Sequence, residues 1–580
     1  DVRRVFPHAP RPSAGGGRAP VVIVGAGPVG LALAIDLAQQ QIPVIVLDDD
    51  NTVSEGSRAI CWSKRTLEIF DRLGVGDASV ARGVRWNVGR VFFGESQVFD
   101  FDLLPEPGHR RPAFVNLQQY HVEQMLVERA QALPDCALRW KHRCESVEAS
   151  ARGVRVHVET PDGSYAIDCD WLVACDGSRS TVRTCLRLES RGQVFRDRFL
   201  IADIRMRSPF PAERWFWFDP PFHRNQSALL HRQADDVWRI DFQLGADADA
   251  EAERQPARVA ARVRAMLGEG ARFDVEWASV YTFACRRLPS FRHARVLFAG
   301  DSAHLVSPFG ARGANGGVQD ADNLGWKLAR VVRGTAPESL IDSYDVERGR
   351  AADENIRHST RATDFITPKS PMSRLYRDSV LELARRFEFA RRWVNSGRLS
   401  TASVLRDSPL STPDRDPDFA SAGASMAPGT AATDAPVSGP RGDWLVGCLG
   451  GRFVLLVFGV ELAATDLRRL RDARACDVIT VAAHFGSAAG TGTHAAVTSD
   501  AGIEPGACAG AEAGSNVDGK TGTRVRTDAL ADVQGHAAAR YDARPGTCYL
   551  VRPDQHVCAR WRVFDAQAVI DAIDRACGVA

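Results

Sequence analysis

Three glycines near the start of the chain, Gly25, Gly27 and Gly30, have the spacing of a turn that binds a pyrophosphate. Because they lack side chains, a pyrophosphate can approach the backbone N–H groups at the positive end of a helix. Asp48 follows 23 positions after Gly25, where a carboxylate can accept hydrogen bonds from ribose hydroxyls. The pattern predicts a dinucleotide site; the alternative is a glycine turn that only packs a helix on a strand.

The residues around these glycines predict the elements that hold them. Branched apolar residues at 21–24 and 44–47 are typical of buried strands, and Leu33 and Leu37 have helical spacing between them. The sequence therefore predicts one βαβ unit with the glycine turn at the carboxyl end of its first strand.

Two later segments each end a predicted strand with a glycine and a carboxylate. They are residues 174–183, with Asp176, Gly177 and Arg183, and residues 296–304, with Gly300 and Asp301. Together with the glycine turn, and in the same order, they resemble the three-part signature of the class A flavin monooxygenases, the flavoprotein aromatic hydroxylases. The resemblance runs from about Pro20 to Arg350. It is greatest for the 3-(3-hydroxyphenyl)propionate hydroxylase-like branch, whose features are also found at residues 281–283 and 322–328.

This resemblance implies FAD as the bound cofactor, NAD(P)H as the reductant and O₂ as the oxidant. Asp301 would accept hydrogen bonds from the ribityl chain of FAD. Asp176 and Gly177 would help to place the flavin and the pyridine nucleotide, with Arg183 as a partner of a phosphate or of Asp176.

Two further positions match residues that grip the FAD phosphates and ribose in this family. They are Arg58 and Gln119, although Gln118 is an alternative for the second position. For Arg58 the alternative is a surface salt bridge.

The function implied by the resemblance is hydroxylation of a phenolic ring, with or without a carboxylate substituent, by a flavin hydroperoxide. The sequence singles out no base for the phenol. Two other functions stay open: an oxygenase of polycyclic or polyketide substrates, and a non-enzymatic flavin-binding sensor. Oxygen-dependent turnover would separate both enzymes from the sensor.

A helix is predicted to start near Asn315, shortly after Pro308, with its N-terminus aimed at the flavin. Its dipole would stabilise a reduced, anionic ring. Relatives commonly carry Gly-Gln-Gly-Met-Asn here, whereas this chain has Arg312 before Gly313. A cation at the positive end of a helix needs a negative partner: an acidic side chain, the reduced flavin or a substrate carboxylate. His304 is read as a structural histidine rather than as a base.

The substrate pocket is less well specified by the sequence. Candidates for its aromatic wall are Trp215, Trp217 and Phe222, although such a run on a sheet is also typical of a core. Candidates for receiving a substrate carboxylate are Arg214, Arg224 and His223, with solvated surface charge as the alternative.

The fold class expected is α/β, with an interrupted Rossmann-like FAD-binding domain, a mostly antiparallel substrate-domain sheet and a C-terminal thioredoxin-like domain. The expected bounds are 1–19 for a disordered tail, 20–198 and 291–365 for the FAD-binding domain, 199–290 for the substrate-domain sheet, 366–430 for a helical segment and linker, and 431–580 for the C-terminal domain. The linker composition begins at about 405, and residues 486–520 look like a flexible insertion.

The composition and net charge argue against several classes of binding partner. A formal net charge of +1 gives no basic excess for nucleic acid, and the apolar run from Val21 to Ile35 is too short for a membrane anchor. The 13 cysteines include no CxxC pair, which argues against a zinc ribbon, a disulfide framework and a redox role for the C-terminal domain. No metal site is expected. We expect a cytoplasmic protein, a small aromatic substrate, and a structural or dimer-contacting C-terminal domain that would allow a homodimer.

Overall fold

The fold is taken from a computed structural model, which describes residues 5–12, 17–54, 59–394, 399–421, 426–474, 476–483 and 526–579. The strands are β1 (Arg18–Val24), β2 (Val44–Asp48), β3 (Cys61–Ser63), β4 (Val84–Trp86), β5 (Val88–Phe93), β6 (Ser96–Asp102), β7 (Phe114–Asn116), β8 (Cys136–Trp140), β9 (Arg143–Ser150), β10 (Gly153–Glu159), β11 (Tyr165–Ala174), β12 (Arg191–Arg205), β13 (Arg214–Phe218), β14 (Ser227–Arg232), β15 (Val237–Leu244), β16 (Asp274–Arg287), β17 (Arg292–His293), β18 (Val296–Phe298), β19 (His304–Leu305), β20 (Phe453–Phe458), β21 (Cys476–Ala483), β22 (Thr527–Asp532), β23 (Cys548–Val551) and β24 (Val557–Trp561).

The α-helices are α1 (Pro28–Gln39), α2 (Lys64–Leu73), α3 (Gly76–Arg82), α4 (Gln119–Gln131), α5 (Thr181–Cys185), α6 (Ala250–Glu253), α7 (Pro256–Leu267), α8 (Gly313–Val332), α9 (Asp342–Ile366), α10 (Pro371–Ala384), α11 (Glu388–Arg391), α12 (Pro417–Ser421), α13 (Ala464–Ala473), α14 (His536–Arg540) and α15 (Ala566–Ala576).

The first sheet has the order β17-β18-β11-β1-β2-β8, and β10 and β9 extend it from β11. Strands β1, β2, β11 and β18 are parallel, with Val24 opposite both Leu47 and Ala174. These strands carry continuous apolar runs because helices cover the sheet, and α1 packs against α4 and α8. Their carboxyl ends meet at one edge, so the glycine turn, Asp48 and the two Gly/Asp segments come together there. The predicted βαβ unit and Rossmann-like fold are confirmed.

The second sheet has the order β19-β16-β12-β15-β14-β13-β5-β6 and is antiparallel except where β13 pairs with β5. The mostly antiparallel sheet was predicted within 199–290, but that boundary is too narrow. β5 and β6 come from within the predicted FAD-binding segment, and β12 begins at Arg191. Pairing with β5 gives β13 a neighbour on its outer side, where it would otherwise be an exposed edge.

The third sheet has the order β22-β21-β20-β23-β24, with parallel pairs on one side of β20 and antiparallel pairs on the other. It forms the C-terminal unit, for which the thioredoxin-like assignment stays a prediction.

The predicted insertion at 486–520 lies outside the described residues. The linker prediction is wrong for its described part: Leu405, Leu410 and Phe419 are buried, the last two within the core of this unit.

The predicted disordered tail at 1–19 is also wrong for its described part. Phe6 is buried and stacks on Trp140, and its backbone N–H donates to the carbonyl of Asn51. β1 already begins at Arg18. One buried aromatic ring thus ties the segment at residues 5–12 to the first sheet, which a tail rich in proline and arginine does not reveal from composition.

The C-terminal unit docks on α8 and α9 through a buried ionic network. Arg552 donates to Glu347 at 2.6 Å and to Asp554 at 2.5 Å, and the ammonium of Lys327 also donates to Glu347 at 2.6 Å. Arg65 on α2 donates to Asp322 on α8 at 2.9 Å and to the carbonyl of Asp554. These contacts explain why the segments 322–328 and 550–554 carry so many charged residues in otherwise apolar surroundings.

The cysteines among the described residues are free thiols, most of them buried. Within these ranges no cluster of His, Cys, Asp or Glu has the arrangement of a metal site. None of the helices described combines the length and apolar character that crossing a membrane requires.

Candidate active site

A cavity of about 850 Å³ lies between the carboxyl edge of the first sheet and the inner face of the second. Apart from Arg214, which belongs to the second sheet, eleven of the residues predicted for the site line it: Gly25, Gly27, Asp48, Gln119, Asp176, Gly177, Asp301, Pro308, Arg312, Gly313 and Asn315. The parallel strands bring these positions together although they are spread over nearly 300 residues of sequence.

The glycine turn is packed so closely that two of its positions exclude a side chain. Gly25 has φ +104°, and a Cβ there would lie 2.5 Å from the carbonyl oxygen of Cys175. Gly30 does not line the cavity, but a Cβ there would lie 2.0 Å from the carbonyl oxygen of Gly25. A Cβ on Gly27 would meet nothing within 4 Å, so this glycine leaves open space in front of the N-terminus of α1.

Asp48 holds this turn from the end of β2. Its carboxylate accepts hydrogen bonds from the backbone N–H groups of Ala26 at 2.6 Å and of Asp50 at 2.9 Å. Burial raises the pKa of Asp48 to about 6, against the opposing effect of these two bonds. Asp49 and Asp50 are exposed, as expected for solvated charges.

The segment that follows β11 presents a carboxylate whose bonding is incomplete. Asp176 Oδ2 accepts from the N–H of Val182 at 3.1 Å, whereas Oδ1 is buried with no hydrogen-bond partner among the described residues. Burial raises the pKa of Asp176. Such an orphaned acceptor in a cavity wall fits a ligand that donates a hydrogen bond.

Arg183 does not line the cavity, as a partner of a phosphate would, but the negative charge of Asp176 acts on its guanidinium, in line with the second predicted alternative. Its guanidinium donates to the carbonyls of Ser302 at 3.0 Å and of Ser178 at 2.6 Å. Arg183 therefore ties the two Gly/Asp segments to each other instead of reaching into the cavity.

The segment after β18 is shaped by a short 3₁₀ turn at Gly300–Ser302. Gly300 lies behind the cavity wall and donates its N–H to Asp320 at 3.0 Å, while Asp301 is exposed on the cavity side. Asp320 also accepts from His304 Nε2 at 2.6 Å and from Arg348 at 2.6 Å. His304 is thus part of a buried network, in agreement with the structural interpretation.

The long helix α8 begins at Gly313, two residues earlier than predicted, and its first turn lines the cavity. Asn315 is fully engaged: its amide nitrogen donates to the carbonyls of Cys61 and Ala311, and its oxygen accepts from Ser63 and Thr66. It therefore anchors the start of the helix.

Arg312 is buried directly before this helix. It donates to Asn355 Oδ1 at 3.0 Å and to the carbonyl of Leu399 at 3.2 Å, both of which are uncharged groups. It lines both the main cavity and a second cavity of about 450 Å³ beneath it. The arginine is therefore the shared wall of the two spaces.

Of the two glutamines considered, Gln119 lines the cavity, at the start of α4. It accepts from the N–H of Ala59 at 2.9 Å and donates to Glu123 at 2.7 Å. Gln118 is buried away from the cavity and donates to the carbonyl of Ala234. Arg58 lies outside the described residues.

The predicted aromatic wall is wrong because its side chains lie on the face of the sheet that does not line the cavity. Side chains alternate along a strand, and Arg214 at the start of β13 lines the cavity. Trp215 and Trp217 do not line it but pack against Phe92. Phe222 packs edge-on against Trp217, and Arg224 is exposed. His223 is buried and bonded to the carbonyl of Gln243.

The wall that the second sheet actually supplies was missed from the sequence apart from Arg214. It consists of Ile201, Arg214, Leu229, His231, Arg239, Asp241 and, from β19, Leu305. A signal was present in β15, where the charges of Arg239 and Asp241 alternate with apolar residues in a strand that is buried along its whole length. Charged residues two apart in a buried strand indicate a polar face turned toward a cavity.

Comparison with known proteins bears on this cavity. The model of a family described as FAD binding domain matches residues 18–359. A 3-(3-hydroxy-phenyl)propionate/3-hydroxycinnamic acid hydroxylase of Mycolicibacterium smegmatis is 30% identical over 386 residues, which are 65% of this chain and 66% of that protein. The match thus spans just under two thirds of that relative.

Relatives that act on polycyclic compounds match as well. A 12-dehydrotetracycline 5-monooxygenase/anhydrotetracycline 6-monooxygenase of Streptomyces rimosus is 33% identical over 377 residues, 63% of this chain and 73% of that protein. The solved structure of the anhydrotetracycline hydroxylase OxyS from Streptomyces rimosus, 26% identical, covers 96% of this chain and 99% of its own with a TM-score of 0.66. The flavin-dependent monooxygenase PieE, solved with FAD and substrate, shares the fold at a TM-score of 0.77, with 21% identity and coverage of 97% and 99%.

Proposed function

We propose that this chain, which belongs to the FAD binding domain family of flavin-dependent monooxygenases, hydroxylates a phenolic ring with NAD(P)H and O₂. The observation that carries the proposal is one cavity lined both by the three-part dinucleotide signature and by a buried polar wall from a second sheet. A cytoplasmic location and a homodimeric assembly remain parts of this proposal.

The residues of the first sheet fit an FAD molecule. Gly27 leaves the N-terminus of α1 open to a pyrophosphate, and Asp176 Oδ1 is a buried acceptor that lacks a donor in the described chain. Asp301 lines the cavity and would accept from a ribityl chain, and the first turn of α8 would offer N–H groups to an anionic ring. When bound, FAD supplies the electron transfer from NAD(P)H to O₂ and the transfer of one oxygen atom to the ring.

The second sheet is proposed to cover the substrate and to exclude water. Ile201 and Leu229 give an apolar surface for an aromatic ring, and Arg214 offers a cation to an anionic substituent or a developing phenolate. Arg214 is itself anchored by a bond to the carbonyl of Phe309 at 3.2 Å.

A polycyclic phenol is the second candidate substrate class. The tetracycline hydroxylase structure matches 96% of this chain, including the C-terminal unit, whereas the aligned region of the phenylpropionate hydroxylase covers 65%. Both candidates place a hydroxylated ring against the same wall, so they differ in substrate size rather than in chemistry.

The experiment that tests the function is a screen of monocyclic phenols, phenolic acids and tetracyclic phenols for stimulated NAD(P)H oxidation by the FAD-loaded protein, with product analysis. We expect at least one phenol to give a product with one added oxygen atom. A protein that binds no FAD, or that oxidises NAD(P)H no faster with any phenol, would contradict the proposal and favour the sensor alternative.

We expect Asp301→Ala to weaken FAD retention without unfolding the chain. The substitution removes charge-assisted hydrogen bonds worth about 1.5–3 kcal/mol each, which corresponds to about 10- to 100-fold in the dissociation constant of FAD. Flavin release during dialysis measures this. Asp49→Ala, which removes an exposed carboxylate from the same cavity, is the matched control and should retain FAD. Equal retention by both variants would exclude the ribityl role of Asp301.

We expect Arg312→Gln to raise the dissociation constant of a carboxylated phenol by about tenfold or more, through loss of a hydrogen-bonded charge pair worth about 1.5–3 kcal/mol. A neutral phenol should bind as before. Equilibrium titration of the two ligand types measures the difference. Equal losses of affinity for both ligands would show that Arg312 acts on FAD binding or on the fold. Unchanged affinity for both ligands would show that Arg312 does not contact the substrate.

A further inference from the structure

The inner face of the second sheet carries a compact polar patch, here defined as Arg214, His231, Arg239 and Asp241. In the strand register Arg214 lies opposite His231 and His231 opposite Arg239, while Leu229 lies opposite Asp241. All four side chains line the cavity and are nearly inaccessible from outside it. Burying this much charge costs free energy of folding, which indicates that the patch has a function.

Two atoms of this patch lack hydrogen-bond partners among the described residues: Nε2 of His231, which is 3% exposed, and Oδ1 of Asp241, which is 9% exposed. Their neighbours are otherwise engaged. Arg239 donates twice to Asp203, each time at 2.8 Å, and His231 Nδ1 lies 3.6 Å from the thiol of Cys61. Buried polar atoms are normally satisfied, so two unpartnered atoms on neighbouring strands of one cavity wall indicate a missing polar ligand.

The ligand must combine a polar hydrogen with an apolar body, because Ile201 and Leu229 line the cavity beside the patch. We propose that Asp241 is the base that accepts the proton of the substrate's ring hydroxyl. In this step the O–H bond of the phenol breaks, its proton moves to Oδ1 of Asp241, and the electron pair stays on the phenol oxygen. This assignment rests on the proposed function and supplies the base that the sequence does not identify.

The surrounding charges select Asp241 over His231 as the acceptor. A proton on His231 would add a third positive charge beside Arg214 and Arg239, and these two cations and burial lower the pKa of His231 well below its usual value. On Asp241 a proton neutralises a carboxylate, and the two arginines then face the new phenolate. Burial raises the pKa of Asp241 to about 6, which leaves it ionised at neutral pH and suited to take a proton.

The groups that face Asp241 are Arg214 from β13, His231 from β14, Arg239 from its own strand, Asp203 from β12 and Cys61 from β3. Burial raises the pKa of the Cys61 thiol to about 11, and burial together with Arg214 and Arg239 lowers the pKa of His231 well below its usual value, so both groups favour their neutral forms at neutral pH. The pKa of Asp48 in the same cavity is also raised to about 6, but Asp48 lies on the first sheet and would affect both ligands of the test alike. A transition near pH 6 in the preference for the hydroxy ligand therefore reports Asp241.

The test is equilibrium binding of 3-(3-hydroxyphenyl)propionate and of its O-methyl ether to the FAD-loaded protein without NAD(P)H. We expect the wild type to prefer the hydroxy ligand by about tenfold or more at pH 7, because only this ligand donates to the carboxylate. The preference should fall as the pH drops through about 6, where Asp241 is protonated. In Asp241→Asn the preference should be small and flat from pH 5 to 8.

The matched control is Asp274→Asn, the same change at an exposed position of the same sheet, which should keep the wild-type profile. The wild-type pH profile needs no substitution and carries the test even if the Asp241 variant fails to fold. Absence of a preference in the wild type, or an unchanged pH-dependent preference in Asp241→Asn, would overturn the proposal. Failure of the proposed function would show separately, as wild-type protein that does not oxidise NAD(P)H with any phenol.

Discussion

Gly30→Ala is expected to abolish FAD retention and to destabilise the first sheet. The added methyl carbon would lie 2.0 Å from the carbonyl oxygen of Gly25 and 3.2 Å from Cβ of Cys175, so backbone must move. Overpacking of this kind costs about 1–3 kcal/mol or more in the free energy of unfolding. Opening the turn also displaces the N–H groups that would meet a pyrophosphate, and we expect FAD to bind about 100-fold more weakly or not at all.

Thermal unfolding and the FAD-to-protein ratio after gel filtration measure these two effects. Gly245→Ala is a suitable control, because Gly245 is exposed and a Cβ there meets nothing within 4 Å. Gly27→Ala separates the effects, since its Cβ meets nothing within 4 Å in the protein and Gly27 lines the cavity proposed to hold FAD. It should keep the wild-type melting temperature and still lose FAD. A Gly30→Ala protein with normal FAD content would refute the close packing of this turn.

Arg552→Met is expected to lower the free energy of unfolding by about 3–5 kcal/mol, because it leaves two buried carboxylates without their main cation. Arg552 is almost completely buried and bridges Glu347 on α9 and Asp554 beside it. Its charge lowers the pKa of both carboxyl groups, so both are ionised in the folded protein at neutral pH. Urea unfolding followed by tryptophan fluorescence measures the loss.

Arg544→Met provides the comparison within the same unit. Arg544 and Asp418 form an ion pair at 3.4 Å with both side chains about 60% exposed, and such surface pairs contribute about 0–1 kcal/mol. The urea midpoint should therefore shift strongly only in Arg552→Met. Equal shifts in the two variants would mean that the buried network contributes no more than a surface pair.

The sequence identified most of the residues that line the first-sheet side of the cavity because local rules govern their positions, and their binding of FAD stays a prediction. The glycine turn, Asp48 and the two Gly/Asp segments each follow a strand, and parallel strands bring their carboxyl ends together. The resemblance to flavin monooxygenases is confirmed by the family match. Arg183 was misplaced because a motif gives its position in the chain but not the direction in which a long side chain reaches.

The second-sheet side of the cavity was predicted poorly. Its lining depends on which face of each strand points to the cavity and on pairing between strands that are far apart in the sequence. Trp215 and Trp217 were chosen for their aromatic character, yet a shift of one residue along β13 separates the cavity face from the far face. β5 and β6 joined this sheet from more than 100 residues earlier in the chain. No local pattern in the sequence of β13 shows which of its faces lines the cavity or that β5 pairs with it.

The buried ion pairs between the C-terminal unit and the helices α8 and α9 were not predicted, for a different reason. Residues 322–328 were noticed only as a mark of resemblance, but the structure gives a physical reason for their polar side chains: Asn323 meets Asp554 of the C-terminal unit across a buried interface, and Lys327 meets Glu347. Single-sequence reasoning cannot pair Glu347 with Arg552, because 205 residues separate them. The same limit concealed Phe6, whose partner Trp140 lies on β8.

The most direct test of the proposed activity is turnover under ¹⁸O₂ with a phenol selected in the screen. A flavin-dependent hydroxylase places one atom of molecular oxygen on the ring, so we predict a product labelled with one ¹⁸O and formed in step with NAD(P)H oxidation. Unlabelled product, label supplied by H₂¹⁸O instead, or NAD(P)H oxidation that yields only hydrogen peroxide with every phenol would contradict the account.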